Sequence, residues 1–451
     1  MSSQPPVPPS APAGDSVAAS GPQPPKRLRG GLFRHHDFRQ LFFGDTISQV
    51  GTQLTLLAVP VLAVRVLHAD AFQMGLLATF EVLAFLVIGL PAGAWVDRWH
   101  KKRVLVVNDV ARALALASLP VAWALDALTL AQMFVVALVI GVCTVFFDVA
   151  YQSYLPSIVE PQHLGEGNAK LQASQSVAMI GGPAIAGVAI KLLGAPLTIA
   201  LDSLSFLWSA YFIRRIRHVD SAPPVADRLP LLAEIREGLW FVLRHPLLWR
   251  ITACTSISNF FNSMSNALLV LFALRQLGLD EGHLGLALGV GSVGGLLGAV
   301  VATRVTAWVG EGRVIPLSSL LIAPAGLLMP LAGTVIPPMV AVSGSMFLLS
   351  FAVLLYNVTQ VSFRQRLCPP ALLGRMNASI RFIVYGCMPI GSFIGGVLGT
   401  VYGIRTVYWI SAAGFALASL PVVLSPLIRM RDLPYELDRL SAPDGSRPTP
   451  S

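Results

Sequence analysis

Long apolar runs alternate along this chain with short polar breaks. About 20 apolar residues in helical conformation cross the roughly 30 Å hydrocarbon layer of a bilayer. Windows of that kind lie near residues 40–66, 72–96, 104–124, 129–153, 171–193, 195–214, 249–273, 284–306, 313–333, 338–362, 379–401 and 404–426. The pattern predicts an all-α polytopic membrane protein with twelve transmembrane helices.

The polar residues inside these runs are few and patterned. Asp45, Gln49, Thr52 and Gln53 stand at i, i+4, i+7 and i+8 of the first helix, so they share one face. Polar groups facing lipid are costly, so that face is expected to be wet or buried in protein. The second helix carries Glu81 and ends in Gly93-Ala-Trp-Val-Asp97-Arg98-Trp-His-Lys101-Lys102-Arg103, a short basic hinge before the third. There Asp109 and Arg112, three apart, are expected to pair locally near the cytoplasmic surface. Asp202, beside Ser203 and Ser205, reads as a locally hydrogen-bonded group.

The second half repeats the first at an offset of 209 residues. Asp148 falls on Asn357, Pro161 on Pro370, Gly182 on Gly391, Gly187 on Gly396 and Gly194 on Gly403. A parallel repeat of two six-helix bundles follows, 33–214 and 249–428. The same offset sets Gln53 on Asn262, and Asn259, Asn262 and Asn266 extend the polar face of helix 7. Residues 215–248 form a cytoplasmic linker. Within it, apolar and charged residues alternate at helical spacing from Leu229 to Arg244, the pattern of an amphipathic connecting helix on the inner membrane surface.

Composition agrees with the membrane reading. Of 451 residues, 54% are hydrophobic and 12% charged, with a mean hydropathy of +0.68; soluble domains carry about 25% charged residues. The net charge of +9 reports topology rather than a nucleic-acid partner. Outward loops hold only Arg65, Lys191, Arg275 and Arg405, while nearly all other cations fall on inward segments. That asymmetry places both termini in the cytoplasm of a multi-pass plasma-membrane protein. Residues 1–32 and 429–451 are expected to be cytoplasmic tails, the first disordered. Cys143, Cys254, Cys368 and Cys387 show no metal or redox spacing.

Twelve helices in a 6+6 repeat, a long central loop and the Gly93-x-x-x-Asp97-Arg98-x-x-Lys101-Lys102-Arg103 hinge together resemble the major facilitator superfamily. Gly-Leu-Pro-Ala-Gly-Ala-Trp-Val-Asp-Arg at the end of helix 2, Phe-Asp-Val-Ala-Tyr in helix 4, Gly-Gly-Pro in helix 5 and Leu-Gly-Arg-Met-Asn before helix 11 are similar to its drug:proton antiporter branch, which includes macrolide and enterobactin exporters. The resemblance implies a gating motif of Gly93, Asp97, Arg98, Arg103 and Asp148 that latches helix 2 against the start of helix 11 near Met376 and Asn377. Gly93 would let the two helices approach closely.

No nucleotide loop, zinc motif or ligand cluster is found, so neither an enzyme nor a resident cofactor or metal is expected. Energy must then come from a gradient. A carboxylic acid whose surroundings alternate between dry and wet can take up a proton on one side and release it on the other. Glu81 and Asp45 are the candidates. For substrate, Gln49, Gln53, Asn259, Asn262, Asn266, Tyr356, Asn357 and Gln360, set among Phe80, Phe260 and Phe261, would suit an amphipathic small molecule. The reading is a monomeric, bilayer-embedded exporter working by alternating access and exchanging a drug or natural product for protons. A siderophore or metabolite exporter, an uncoupled facilitator and a transporter-derived sensor are the alternatives.

Overall fold

The computed structural model describes residues 32–96, 98–160, 163–218, 231–369 and 372–430. Twelve helical spans are long and apolar enough to cross a membrane. In chain order the helices are α1 (His36–Arg65), α2 (Ala71–Val96), α3 (Lys101–Ala124), α4 (Leu130–Ile158), α5 (Leu164–Leu193), α6 (Ala195–Arg214), α7 (Leu231–Arg244) and α8 (Leu248–Asn266). They continue with α9 (Leu269–Leu271), α10 (Glu281–Val309), α11 (Glu311–Leu331), α12 (Pro338–Leu367), α13 (Leu373–Tyr402) and α14 (Ile404–Val423). Every span but one is a single helix. The seventh breaks after Asn266, resumes as α9 and closes in a π-helical turn, Phe272–Gln276.

Local chemistry fixes the ends. Thr129 heads α4 by accepting a hydrogen bond from the backbone N–H of Gln132, and Asp280 does the same for His283 ahead of α10. Gly194 and Gly403, 209 residues apart, form the one-residue corners into α6 and α14 at φ +81° and +85°, a region that favours glycine. His100 heads α3 in an extended conformation at φ −68°, so that corner makes no demand for glycine.

The sequence repeat is a packing repeat. In the first bundle α1 packs on α5 and α6, α2 on α4, and α3 on α4 and α6. In the second, α8 packs on α13 and α14, α10 on α12, and α11 on α12 and α14. Two further pairings, α2 with α13 and α5 with α10, join the bundles. They are equivalent under the repeat, and each crosses on small residues: Gly75 meets Gly396, and Gly187 meets Gly285, so closely that a Cβ on any of the four would strike the facing backbone.

The bundles meet unequally at their two ends. The terminal face carries the start of α1, the end of α14 and the connecting helix α7; the far face is its opposite. In the far half one apolar cluster runs through both bundles, including Leu62, Leu116 and Ile199 of the first with Leu268, Phe272 and Val407 of the second. Toward the terminal face each bundle has its own, around Phe38 and Tyr154 in one and Leu248 and Phe363 in the other.

The connection is held at both ends. Backbone N–H groups of Arg217 and His218 donate to the Asp37 carboxylate at 2.9 and 3.1 Å. Helix α7 is not merely a solvated connector. It lies on the first turns of α13, where Gly238 covers the Arg375 carbonyl, Glu237 pairs with Arg375, and Val242 is fully buried.

Candidate functional site

At the seam between the bundles, in the far half, lies a cavity of about 370 Å³. Its polar wall is Gln53 of α1, Glu81 of α2, Asn266 at the break in span seven, and Ser292 of α10. The break itself supplies Ala267, Leu269 and Val270. Interrupted helices at mid-membrane are tolerated where the freed backbone lines a cavity. Glu81 opens onto this space, and among the described residues nothing pairs with its carboxylate. Gly141 of α4 backs the Glu81 carbonyl, so α2 and α4 are in close contact behind the acid.

Of the amide positions suggested by the sequence, three groups emerge. Gln53 and Asn266 share the central cavity with Glu81. Asn259, Asn262, Tyr356 and Asn357 line an adjoining pocket of about 240 Å³ inside the second bundle, and Asn262 and Asn266 meet in a third of about 190 Å³. Gln49 and Gln360 line none of these. Gln49 donates to Asp45 at 3.3 Å, and Gln360, buried within α12, reaches Asn357 at 3.4 Å. Tyr356 is also tied into the bundle, its hydroxyl on Thr255 and on the Ile251 carbonyl.

The expected aromatic wall is absent from the central cavity. The Phe261 ring lies against Gly414 of α14 and packs edge-on with the Phe260 ring at 5.1 Å, the Phe260 backbone backs onto Gly391 of α13, and Phe80 packs on Phe134. Methionines take their place: Met74, Met133, Met179 and Met346 come from α2, α4, α5 and α12. Thioether side chains are flexible and polarizable and adapt to varied apolar shapes. Scattered singly over four helices, they leave no periodic trace in the sequence.

Asp45 lies elsewhere, inside the first bundle in a group the sequence undervalued. Arg112 and Asp109 form the local ion pair expected, at 2.5 Å, and it is enclosed in the bundle, with Asp109 at 0% exposure and Arg112 at 6%. The guanidinium is sandwiched 4.3 Å from the ring centroids of both Phe147 and Phe206. Asp45, Asp148 and Asp202 all stand within its electrostatic reach. Asp202 accepts from Ser205 at 2.8 Å, while Ser203 turns away to the Ala113 carbonyl. Among the described residues, Oδ2 of Asp109, Oδ2 of Asp202 and Nε of Arg112 are buried with no partner at full hydrogen-bond geometry. The Ser209 and Thr55 hydroxyls stand close to the Asp109 and Asp202 carboxylates, respectively.

The hinge residues named by the resemblance are described only in part. Asp97 falls outside the described residues. Arg98 and Arg103 are exposed, and a Cβ built at Gly93 meets no described atom within 4 Å. Asp148 is half-buried, and the α13 cation within its reach is Arg381; Met376 is buried in its own bundle. Lys101 and Lys102 do more than mark topology. They donate to the Ser153 and Ile216 carbonyls, capping chain near the ends of α4 and α6.

On the far face the sparse cations are all engaged. Arg65 of α1 pairs with Glu281 of α10 at 2.6 Å, Lys191 of α5 reaches Asp280 at 3.4 Å, and Arg275 donates to the Val64 carbonyl. Each of the three joins one bundle to the other. Arg405 ties α14 to the carbonyls of Pro330 and Ala332 at the end of α11.

Two like-oriented six-helix bundles with a cavity at their seam define a membrane transporter, not an enzyme. The chain belongs to the Major Facilitator Superfamily, whose profile matches residues 41–389. The multidrug efflux pump Tap of Mycolicibacterium fortuitum is 26% identical over 411 residues, covering 87% of this chain and 96% of that protein. Macrolide efflux protein A of Streptococcus pyogenes is 19% identical over 407 residues, 88% of this chain and 97% of that one. The solved structure of a bacterial homologue of the iron transporter ferroportin, in an inward-facing state, shares the fold at a TM-score of 0.70 and 18% identity, over 87% of this chain and 99% of that one.

Proposed function

We propose that this protein is a plasma-membrane exporter that works by alternating access and expels an amphipathic drug or natural product in exchange for protons. The observation that carries the reading is Glu81: an unpaired carboxylate on the wall of a methionine-rich cavity, behind a far face held shut by ion pairs. Sparse cations on the far face and abundant ones toward the termini support a cytoplasmic terminal face. In this reading the cavity is loaded from the cytoplasm, the side from which an exporter takes up its substrate. The core shared by both bundles in the far half, and the separate apolar clusters toward the terminal face, fit that direction of access. The apolar wall gives affinity for varied shapes, the amides of Gln53 and Asn266 give orientation, and Glu81 carries the exchanged proton or meets a cationic substrate. The printed names of the efflux relatives agree with export of drugs.

The test is dye efflux from proteoliposomes with and without an imposed pH gradient. Native protein should transport faster with the gradient, and Glu81→Gln should lose that acceleration while retaining dye binding. Equal efflux under both conditions would refute coupling, and gradient-driven export by Glu81→Gln would move the proton site elsewhere, with Asp45→Asn as the next variant.

A further inference from the structure

The outer side of α7 has no part in the transport reading, and it is chemically one-sided. Gly238, Phe241 and Val242 turn to α13 and the second bundle, leaving Arg236, Trp240, Leu243 and Arg244 at i, i+4, i+7 and i+8 on the opposite face. Trp240 is 54% and Leu243 57% exposed. The Arg244 guanidinium lies 3.6 Å from the Trp240 ring centroid. The first turn of α8 continues the same chemistry, with exposed Trp249 and, 5.7 Å from its ring, the guanidinium of Arg250. The acid beside this face, Glu237, is occupied by Arg375 of α13.

Two arginines that flank an indole and a leucine, with no free carboxylate among the described residues of that face, match one kind of partner. Guanidinium groups bind phosphodiester oxygens in paired, charge-assisted geometry. Indole rings settle at the headgroup and glycerol level, and leucine reaches the acyl boundary. A zwitterionic headgroup balances its phosphate with a cation that two arginines would repel; a net-anionic one such as phosphatidylglycerol has no such balancing charge. We propose that the Arg236–Trp240–Leu243–Arg244 face, extended by Trp249 and Arg250, is a docking surface for anionic phospholipid headgroups of the surrounding leaflet. The position supports the assignment: α7 lies at the terminal face directly before a membrane span, where headgroups are within reach. Because Gly238 and Glu237 fasten α7 to residues 375–379, a lipid held there bears on the start of α13.

Tryptophan quenching in nanodiscs tests the surface with the full-length chain. The discs contain phosphatidylcholine with equal small fractions of brominated phosphatidylglycerol or brominated phosphatidylcholine, and the Trp240 signal is the portion lost in Trp240→Phe. Brominated phosphatidylglycerol should quench that portion several-fold more strongly, since each cation near an anionic surface is worth about fivefold in affinity. Arg236→Gln/Arg244→Gln should abolish the preference, whereas Arg236→Lys/Arg244→Lys should keep most of it. Should the glutamine pair fail to fold, the native comparison alone decides. Equal quenching by the two lipids, a preference that survives the glutamine pair, or its loss on adding excess inorganic phosphate, which would indicate a site for soluble anions, each overturns the proposal.

Discussion

The two bundles share a packing scheme and differ in charge. At the positions of Asp45, Asp109, Asp148 and Asp202, the 209-residue offset gives Cys254, Ser318, Asn357 and Ser411, and for Glu81 and Arg112 it gives Val290 and Leu321. Every ionisable group buried in or facing the centre of the first bundle is thus neutral in the second. Cys254, Ser318 and Ser411 are as thoroughly buried as their counterparts, so burial is common to both bundles and charge is not. Glycine contacts survive in both copies because helix packing constrains them; the charges are free to remain where a task requires them. At these six positions the first bundle carries the charged groups and the second neutral side chains; the second bundle's own partly buried cation, Arg364 of α12, lies outside this set.

Substitutions that break this asymmetry rank by how much buried charge they leave unpaired. Arg112→Leu strands Asp109 without its ion pair and should destabilise the protein by about 3–5 kcal/mol, read as a large fall in thermal stability in detergent. Ser318→Ala, the counterpart of removing Asp109, should cost no more than about 1 kcal/mol, and a similar loss for both would erase the distinction. At the symmetric crossings, Gly187→Leu or Gly396→Leu should overpack the far half by about 1–3 kcal/mol. A cysteine in place of Ser292 should then react faster with an impermeant thiol reagent applied from the far side, equally for either crossing if they are truly equivalent. A double-mutant cycle on Arg65→Ala and Glu281→Ala should give a coupling of about 0.2–1 kcal/mol, since half of the arginine is in solvent.

The smallest effect concerns Asp280. The backbone N–H of His283 holds its carboxyl down at about 2, with the His283 ring and Lys191 assisting. A lowered folded-state value stabilises above the usual carboxylate range and is lost as pH falls through the folded value. The Lys191 contact should therefore be constant from neutral pH to about 4 and weaken only between about 4 and 2, as followed by a distance between labels on α5 and α10.

Much of this was legible in the sequence. Twelve apolar runs and a recurring set of glycines specify helices and bundles because lipid leaves the backbone few choices. Glu81, Gln53 and Asn266 stood out singly as candidates, since an amide or acid in an apolar run is conspicuous. Their sharing one cavity was not legible, because the repeat offset matches Gln53 to Asn262. Nor was the methionine wall, because a thioether is indistinguishable by pattern from any other apolar side chain. Asp109 and Arg112 misled for a different reason. Three-residue spacing reports that two charges can pair, but their depth depends on Phe147 and Phe206, contributed by helices 35 and 94 residues further along. Phe260 and Phe261 read as ligand-facing because they neighbour the asparagines, yet a helix shows different faces to adjacent positions: the Phe261 ring meets Gly414, and the Phe260 ring packs on Phe261.

The fastening of the interbundle connection at both ends sets a tether length. Asp37 holds the chain at 217–218 on one bundle, and α7 holds it from 231 on the other, so the span between these anchors is residues 219–230. At roughly 3.3–3.6 Å per residue, twelve residues reach about 40 Å when fully drawn out. On the alternating-access reading proposed above, any separation of the terminal ends is bounded by that length, and progressive deletions in 219–230 should slow transport once the remaining chain is shorter than the gap to be spanned.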